Sequence, residues 1–424
     1  MKHEKNAAGG KMRKRSNRFR NAYQFVILFV FSVLTIVVGN RIACKNARLF
    51  TSQVSSETVS YLVKVDSILS VTEGTASYGG VVDATQTSVK FSGTVLFGEK
   101  KGDSIVAVQS YDDVVAAVAV PVEPGDWIYV HVTPGSDEAR AGNYFRVKEL
   151  AILFAIIVAF LILFAKLKGV ASVLSLGLTI ASVFFVFVPA ILSGYNVYLW
   201  TLLVCAYSII ITPPYVGGLN KKSLASILGS VGGVTLAGLL TLVLNSAMKI
   251  TGFASDEDMF VVAILDEPID LRAVTFAAII IGALGSTLDV SMSISTSVGE
   301  MHETTGSTDF RSLLNSGFNI GRDILGTQIS TLILAYIGTS LCTVLLIVTY
   351  QPSIMEMLNL EQVIINLEDM LVGAATIILT IPFTALISAL MLSKREESER
   401  EPAGEFRIDG GGNAQEGKTV FTRN

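Results

Sequence analysis

Residues Val170–Ser193 read VASVLSLGLTIASVFFVFVPAILS, and this stretch contains no charged side chain. The hydrocarbon core of a bilayer is about 30 Å thick, and a helix needs about 20 apolar residues to cross it. A water-soluble fold could not keep many such stretches off its surface. The stretch therefore predicts a transmembrane helix, and its repetition along the chain sets the fold class.

Seven other stretches have the same character, so we predict an all-α transmembrane bundle of about eight helices. They are Tyr23–Gly39, Leu150–Ala165, Val197–Val216, Leu224–Leu244, Ala273–Ser295, Gly326–Tyr350 and Met370–Leu392. The first stretch follows a dense basic block, as a signal peptide does, but Arg41 stands where a cleavage site needs a small or apolar residue. We therefore expect an uncleaved anchor.

The composition excludes several classes of protein. Apolar residues make up 51% of the 424 residues and charged residues 16%, where about a quarter is usual for soluble domains. A soluble enzyme, a disordered chain and a nucleic-acid binder are therefore excluded. The three cysteines and three histidines are scattered, so we expect no metal site. No nucleophile elbow, phosphate loop or HExxH helix occurs, so we expect neither enzyme activity nor a cofactor.

Lysine and arginine mark one side of the predicted bundle. They occur in every second short loop and in the N-terminal block, whereas loops 194–196 and 351–369 carry neither. The positive-inside rule then places both termini in the cytoplasm. The predicted organisation is a basic cytoplasmic N-terminus (1–22), an anchor (23–39), an extracytoplasmic domain (40–149), a seven-helix bundle (150–392) and a disordered cytoplasmic tail (393–424).

The extracytoplasmic domain alternates polar and apolar residues at period two, which is typical of strands. Strand patterns begin at Val59, Ser88, Ser104 and Trp127. Gly98–Asp103 reads as a glycine-bounded hairpin connection, and Pro124-Gly125-Asp126 as a turn. We predict a small antiparallel barrel or sandwich, and specifically a five-stranded, partly open barrel.

The sixth predicted span carries a stripe of small and polar residues on an otherwise apolar helix. The stripe repeats at steps of three and four residues, which places it on one helical face, and comprises Gly282, Gly285, Asp289, Ser293, Thr296 and Glu300. Ionisable groups at membrane depth are costly and usually functional. The stripe therefore predicts a face that contacts protein or water, with Asp289 as its centre.

A second polar block precedes the seventh span. Asn315, Asn319 and Arg322 or Asp323 recur at helical spacing. Asp309 is placed to cap this helix, as Asp270 is placed to cap the sixth span. Arg322 could pair with Asp289 or Glu300, either within a functional site or only as a structural link between two helices. Six glycines predict close helix packing; they are Gly229 and Gly233 of the fifth span, Gly282 and Gly285 of the sixth, and Gly317 and Gly321 of this block.

These blocks resemble the YibE/F-like membrane proteins of bacteria. The resemblance rests on GALGSTLDVSMSIS at 282–295, NSGFNIGRDILGT at 315–327 and LILAY at 332–336, and it extends over about residues 50–392. It implies an anchor, an extracytoplasmic β-rich segment and a multi-span bundle. It implies no particular activity. The Pro213-Pro214 pair and the acidic loop before the sixth span depart from the family pattern.

Two functions remain open. The first is a permease for a small solute or ion, in which Asp289 binds a proton or cation, Arg322 supplies a counter-charge, and Asn315 and Asn319 donate hydrogen bonds. The second is a non-transporting protein whose β domain binds a partner or ligand. An intramembrane hydrolase built on Asp289 and Asp323 is disfavoured, because Arg322 would keep the second carboxylate ionised. The expected partner is the lipid bilayer, with a small solute or cation if the first function holds. The glycine-rich helix faces leave open a homo-oligomer or contact with another membrane protein.

Overall fold

The computed structural model describes residues 25–45, 59–78, 82–98, 100–112, 120–133, 139–253, 256–264, 269–306, 309–350 and 353–393. The predicted N-terminal segment and the tail beyond residue 393 lie outside these ranges. Within them, seven helices are long and apolar enough to cross a membrane, or up to eight spans if a bent helix pair counts as one. By length and composition, this agrees with the prediction of about eight.

The helices are α1 (Phe25–Ala43), α2 (Val147–Ala165), α3 (Leu167–Ser182), a π-helical turn (Val183–Phe187), α4 (Val188–Leu192), α5 (Val197–Gly217), α6 (Lys221–Ala247), α7 (Asp256–Ile264), α8 (Leu271–Thr305), α9 (Phe310–Thr339), α10 (Leu341–Tyr350), α11 (Ile354–Leu358) and α12 (Glu361–Leu392). The long helices run alternately in opposite directions. We call the end of the bundle at which α2 and α12 begin the barrel end, and the end at which α12 stops the tail end.

Between α1 and α2 the chain forms a five-stranded barrel. Its strands are β1 (Val59–Tyr78), β2 (Val82–Val95), β3 (Ser104–Asp112), β4 (Trp127–Val132) and β5 (Ala139–Tyr144). They close in the order β1-β2-β3-β5-β4, as in small barrels of the OB-fold type. Alternate residues of the strands point inward, and Val63, Phe91, Ile128 and Val130 are almost fully buried in the barrel core.

The barrel confirms the predicted strand number and corrects two details. It is closed rather than partly open, and it is not entirely antiparallel, because β3 and β5 pair in parallel at Ala107–Ala139. The closed shape requires a close approach of β1 and β2 at Gly93. A Cβ atom there would lie 2.5 Å from the carbonyl oxygen of Lys64, so a residue with a side chain would force the two strands apart.

Polar side chains set the start of four long helices. Asn196, Asn220, Asp270 and Asp309 each accept a hydrogen bond from the backbone N–H three residues later, at 2.9–3.2 Å. Such caps satisfy a backbone donor that the helix itself leaves unpaired. The predicted caps at Asp270 and Asp309 are confirmed.

Helix α1 is held to the bundle by polar contacts near a proline. Pro189 has no N–H, so it cannot donate to the carbonyl of Phe185 one turn earlier. The side-chain amide of Asn40 in α1 donates to that carbonyl instead. The hydroxyl of Ser193 donates to the carbonyl of Ala43 at 2.5 Å. The irregular turn between α3 and α4 thus offers one backbone acceptor to α1, and α1 in turn offers a backbone acceptor to Ser193.

Helix α12 lies at the centre of the bundle and packs against α6, α8 and α9. Gly229 and Gly233 of α6 allow the closest approach, since their Cβ atoms would lie 2.9 Å from Cβ of Thr384 and 3.3 Å from Cβ of Thr380. The two helices are antiparallel, and these contacts set the register of the interface between them. We call this interface the α6–α12 seam.

Two glycines of α9 likewise allow close packing, against another side of α12. A Cβ atom at Gly317 would lie 2.7 Å from Cβ of Ala385, and one at Gly321 would lie 3.2 Å from Cβ of Ile381. Gly285 of α8 behaves differently, because no heavy atom lies within 4 Å of its Cβ position. Five of the six predicted packing glycines therefore lie at helix contacts, since Gly282 approaches Tyr336 of α9, and only Gly285 of the six faces open space.

Three helices extend beyond the predicted spans. Helix α8 continues ten residues past Ser295 to Thr305, and α9 begins at Phe310 and bends by 59° into α10. Helix α12 begins at Glu361 rather than at Met370. The last difference matters most, because it moves two carboxylates from a predicted loop into a helix of the bundle.

Candidate functional site

The predicted stripe on α8 lies at the surface of the single chain. Gly285, Asp289, Ser293 and Glu300 are exposed. Gly282 and Thr296 are half-buried. The residues that α8 buries lie on its other faces and include Val290, Ile294 and Val298, which pack against α9 and α12.

The polar block on α9 is exposed as well. Asn315, Asn319, Arg322 and Asp323 all lie on the outer surface of the helix, because Gly317 and Gly321 turn the opposite face to α12. The guanidinium of Arg322 lies 3.5 Å from the side-chain oxygen of Asn319.

The predicted pairing of Arg322 with Asp289 or Glu300 is not formed in the described part of the chain. The one ion pair that the described residues form within these helices joins Lys222 and Glu303. The single chain therefore does not enclose the polar faces of the sixth and seventh spans as a site of their own.

A different group of polar side chains is buried at the barrel end of the bundle. Glu368 of α12 is 2% exposed and Asn245 of α6 is 3% exposed. Neither carboxylate oxygen of Glu368 and neither polar atom of the Asn245 amide has a hydrogen-bond partner among the described residues. Buried polar groups are nearly always hydrogen-bonded, so these atoms are placed to receive a proton, an ion or another polar ligand.

The helix contacts place the two residues at the same depth of the bundle. Gly229 faces Thr384 and Gly233 faces Thr380, so four residues along α6 correspond to four residues back along α12. Continuing this antiparallel register brings Asn245 level with Glu368. A buried carboxylate and a buried amide, both able to offer oxygen ligands, therefore lie at the same depth of the bundle.

A second carboxylate joins the group from the neighbouring residue. Asp369 is half-buried, and its Oδ1 atom has no hydrogen-bond partner within the described ranges. The Tyr336 hydroxyl of α9 is within hydrogen-bonding reach of the Asp369 carboxylate. Gly282 makes room for both: a Cβ atom there would lie 2.5 Å from the tyrosine oxygen and 3.5 Å from Oδ1. We call Asn245, Glu368, Asp369 and Tyr336 the acidic cluster.

From the acidic cluster a line of hydroxyl groups follows α12 toward the tail end. Its members are buried, recur every fourth residue, and are Thr376, Thr380, Thr384 and Ser388. Thr376 and Thr380 donate to backbone carbonyls one turn earlier at 2.7 Å. The hydroxyls of Thr384 and Ser388 have no partner among the described residues. We call these four residues the hydroxyl row.

Serines of α6 and α8 extend the polar lining beside the row. Ser291 of α8 is hydrogen-bonded to Ser226 at 2.8 Å and to Ser230 at 2.7 Å, and all three are fully buried. At the tail end, Lys222 of α6 forms an ion pair of 2.9 Å with Glu303 of α8. Buried hydroxyl groups therefore line part of the core between α6, α8 and α12 toward the tail end. Nearer the acidic cluster the same core is apolar, with Val234, Leu284 and Val372 packed together.

Sequence reasoning missed the acidic cluster because it began the last span at Met370 and left Glu368 and Asp369 in the preceding loop, whereas the helix begins at Glu361. One signal was available. Hydroxyl residues at every fourth position from Thr376 to Ser388 form a polar stripe on an apolar helix, and Glu368 continues that stripe two turns earlier. A stripe of this kind points to protein or water rather than lipid.

No curated protein and no solved structure matches the chain. The model of the YibE/F-like protein family matches residues 153–394. This match is shorter than the predicted resemblance, since α1 and the barrel fall outside it, but it covers more than half of the chain and contains both the acidic cluster and the hydroxyl row. The long apolar helices fit a membrane protein. The chain belongs to the YibE/F-like protein family.

Proposed function

We propose that the chain is a membrane permease for a proton or a small cation, and that Glu368 is the residue that binds it. The observation that carries the proposal is the unpaired Glu368 carboxylate, which is 2% exposed inside a bundle of long apolar helices. A carboxylate in such surroundings is costly unless a proton, a cation or a hydrogen-bond donor joins it. The binding role that the sequence suggested for Asp289 is thereby assigned to Glu368.

In this proposal the bundle lies in the cell membrane with both termini in the cytoplasm. Lys166, Lys168, Lys221 and Lys222 lie at the tail end, and short loops rich in lysine favour the cytoplasmic side. The barrel and the acidic cluster then lie toward the outside. A cation entering from outside would meet Glu368 first and the hydroxyl row afterwards.

The chemistry of the lining supports a small, positively charged substrate. Carboxylate and amide oxygens are ligands for hard cations, and hydroxyl groups both donate and accept hydrogen bonds. The row is closely packed, because Gly229 and Gly233 bring α6 against the threonines of α12. This packing favours a carrier that opens the α6–α12 seam during its cycle over a continuously open channel.

Flux into liposomes tests the proposal. The full-length chain is reconstituted with a pH-sensitive dye inside the vesicles, and uptake is measured under a potassium diffusion potential, with separate arms for protons and sodium. Glu368→Gln removes the charge and keeps the shape. We expect it to lower flux at least about tenfold, as expected when a charged ligand group is lost.

The matched control is Glu356→Gln, because Glu356 of α11 is exposed and lies away from the seam. It should leave flux unchanged. Equal flux in wild type and Glu368→Gln, with both proteins folded, would refute the role of Glu368. Absence of flux in the wild type for every ion tested would refute the permease proposal itself.

A second function is favoured by a cleft where the barrel meets α2. The cleft has a volume of about 340 Å³. It is lined by charged and aromatic side chains, which include Asp126, Trp127, Tyr144, Arg146 and Lys148. Such a site suits a small polar ligand. Trp127 is one of two tryptophans in the chain, so quenching of its fluorescence would report binding, and a Trp200→Phe variant would remove the background signal.

A further inference from the structure

Helices α8 and α9 pack against each other, and the described chain leaves exposed polar residues of both helices uncovered. We call these residues the α8–α9 face. All its members are exposed, and they are Gly285, Asp289 and Ser293 of α8 together with Asn319, Arg322 and Gly326 of α9. Within the described residues, neither Asp289 nor Arg322 has an ion-pair partner.

The charges of this face lie halfway along the bundle. Gly282 lies beside Asp369, and Val298 lies with Ala385 around Gly317, so α8 and α12 run parallel with a constant offset. That offset places Asp289 level with Thr376, the middle of α12. The contacts of Gly317 and Gly321 place Arg322 level with Thr380, about 6 Å further along the axis at 1.5 Å per residue.

A face that carries charged side chains is unfavourable in contact with lipid. A carboxylate or guanidinium at the centre of a bilayer is unfavourable by several kcal/mol, and in membrane proteins such groups face protein or water. This step rests on the membrane position proposed above, but not on any transport activity. The α8–α9 face must therefore be covered in the membrane.

We infer that a second copy of the chain covers the α8–α9 face, so that Asp289 of each copy pairs with Arg322 of the other. The face carries an acid on one helix and a base on the next at nearly the same depth, which makes it complementary to itself across a two-fold axis. Gly285 and Gly326 have no heavy atom within 4 Å of their Cβ positions. Small residues of this kind let helix backbones approach closely in a membrane.

Charge reversal tests the pairing between copies. The variants Asp289→Arg and Arg322→Asp are expressed in full-length chains that carry different affinity tags, alone and together. Each variant alone brings like charges together twice, and we expect the dimer recovered from lipid nanodiscs to fall at least about tenfold. Co-expression restores both opposite-charge pairs in a mixed dimer, so the amount of dimer should return to the wild-type level.

Comparing the double variant with the co-expressed single variants separates the inference from a pairing within one chain, because pairing between copies restores both and pairing within one copy restores only the double variant. If Asp289 and Arg322 paired within one copy, the double variant would be restored and the co-expressed single variants would not. That result would overturn the inference. A wild-type chain that is monomeric in nanodiscs by native mass spectrometry would also overturn it.

Disulfide cross-linking gives a readout that does not depend on charged variants folding. In a chain without its three native cysteines, Gly326→Cys places a thiol on the α8–α9 face, and Phe154→Cys places one on α2, where the side chain is 58% exposed. Oxidation should link two copies through Gly326→Cys and not through Phe154→Cys. Equal linking at both positions would mean random collision in the membrane and would refute the interface. Flux through Glu368 is measured separately, so either proposal can fail without the other.

Discussion

Replacing Gly317 by alanine should loosen the contact between α9 and α12. The new Cβ atom would lie 2.7 Å from Cβ of Ala385 and 3.1 Å from its Cα. Carbon atoms in contact prefer about 3.5–4.0 Å. Since Cα of Ala385 belongs to the backbone of α12, no rotamer change relieves the clash, and one helix must move by about 1 Å.

The size of the effect follows from two opposing contributions. Overpacking of this kind typically destabilises a fold by about 1–3 kcal/mol. Alanine is a better helix former than glycine by up to about 1 kcal/mol, which offsets part of the loss. A glycine-to-alanine control that gains helix propensity without a steric clash therefore isolates the contribution of packing to the free energy of unfolding.

Gly338→Ala is that control, because Gly338 lies on the same helix and has no heavy atom within 4 Å of its Cβ position. The two variants should differ by about 1–3 kcal/mol in the free energy of unfolding. At about 2–4 °C per kcal/mol, the Tm of Gly317→Ala should lie about 2–12 °C below that of Gly338→Ala. The assay is thermal unfolding of both purified proteins in the same detergent.

Equal Tm values for the two alanine variants would refute the reasoning. They would mean that α9 is not packed against α12 at Ala385. The register that places Arg322 at the middle of the bundle would then be wrong as well, because it rests on the same contact.

Two further predictions concern the barrel and the loop that follows α6. Burial raises the pKa of the Tyr144 phenol, so the folded barrel holds that proton more tightly than the unfolded chain; its contribution is present below the unfolded pKa near 10 and is lost as the pH rises above it. Tyr144→Phe should therefore flatten the loss of Tm at high pH, and an unchanged pH profile would contradict this. Glu361 accepts hydrogen bonds from the backbone N–H groups of Thr251 and Gly252 at 2.6 and 2.7 Å, and charge-assisted bonds of this kind contribute about 1.5–3 kcal/mol each. Glu361→Ala should lower the Tm, with the exposed Glu356→Ala as its control; no difference between the two would show that the loop is held by other contacts.

The features that the sequence predicted well are those that depend on local physics. A run of about 20 apolar residues has few alternatives to a membrane-crossing helix, and Asp270 and Asp309 cap their helices through backbone donors three residues away. Period-two alternation likewise predicted the strands that begin at Val59 and Trp127. In each case, the evidence for the element lies within a few residues of it.

The acidic cluster depends on contacts between distant parts of the chain. Glu368 looks like a loop residue until the position of α12 is known, because a hydropathy window ends where the first carboxylate appears. The structure shows that α12 begins at Glu361, seven residues before Glu368, and only the contacts of Gly229 and Gly233 with α12 place Asn245 at the depth of Glu368. No local pattern around Asn245 carries that information.

The polar stripe on α8 shows the opposite case, in which the residues were identified and their surroundings were not. Periodicity establishes that Asp289 and Ser293 share a helical face, but it does not say whether that face turns inward or outward. In the single chain the glycines of α9 determine which way the polar face turns. Gly317 and Gly321 direct the apolar sides of α8 and α9 to α12, and the charged sides are left outside. A polar face at this depth needs a partner. The same observation that removes Asp289 from the interior of one copy thus makes it the best candidate for the contact between two.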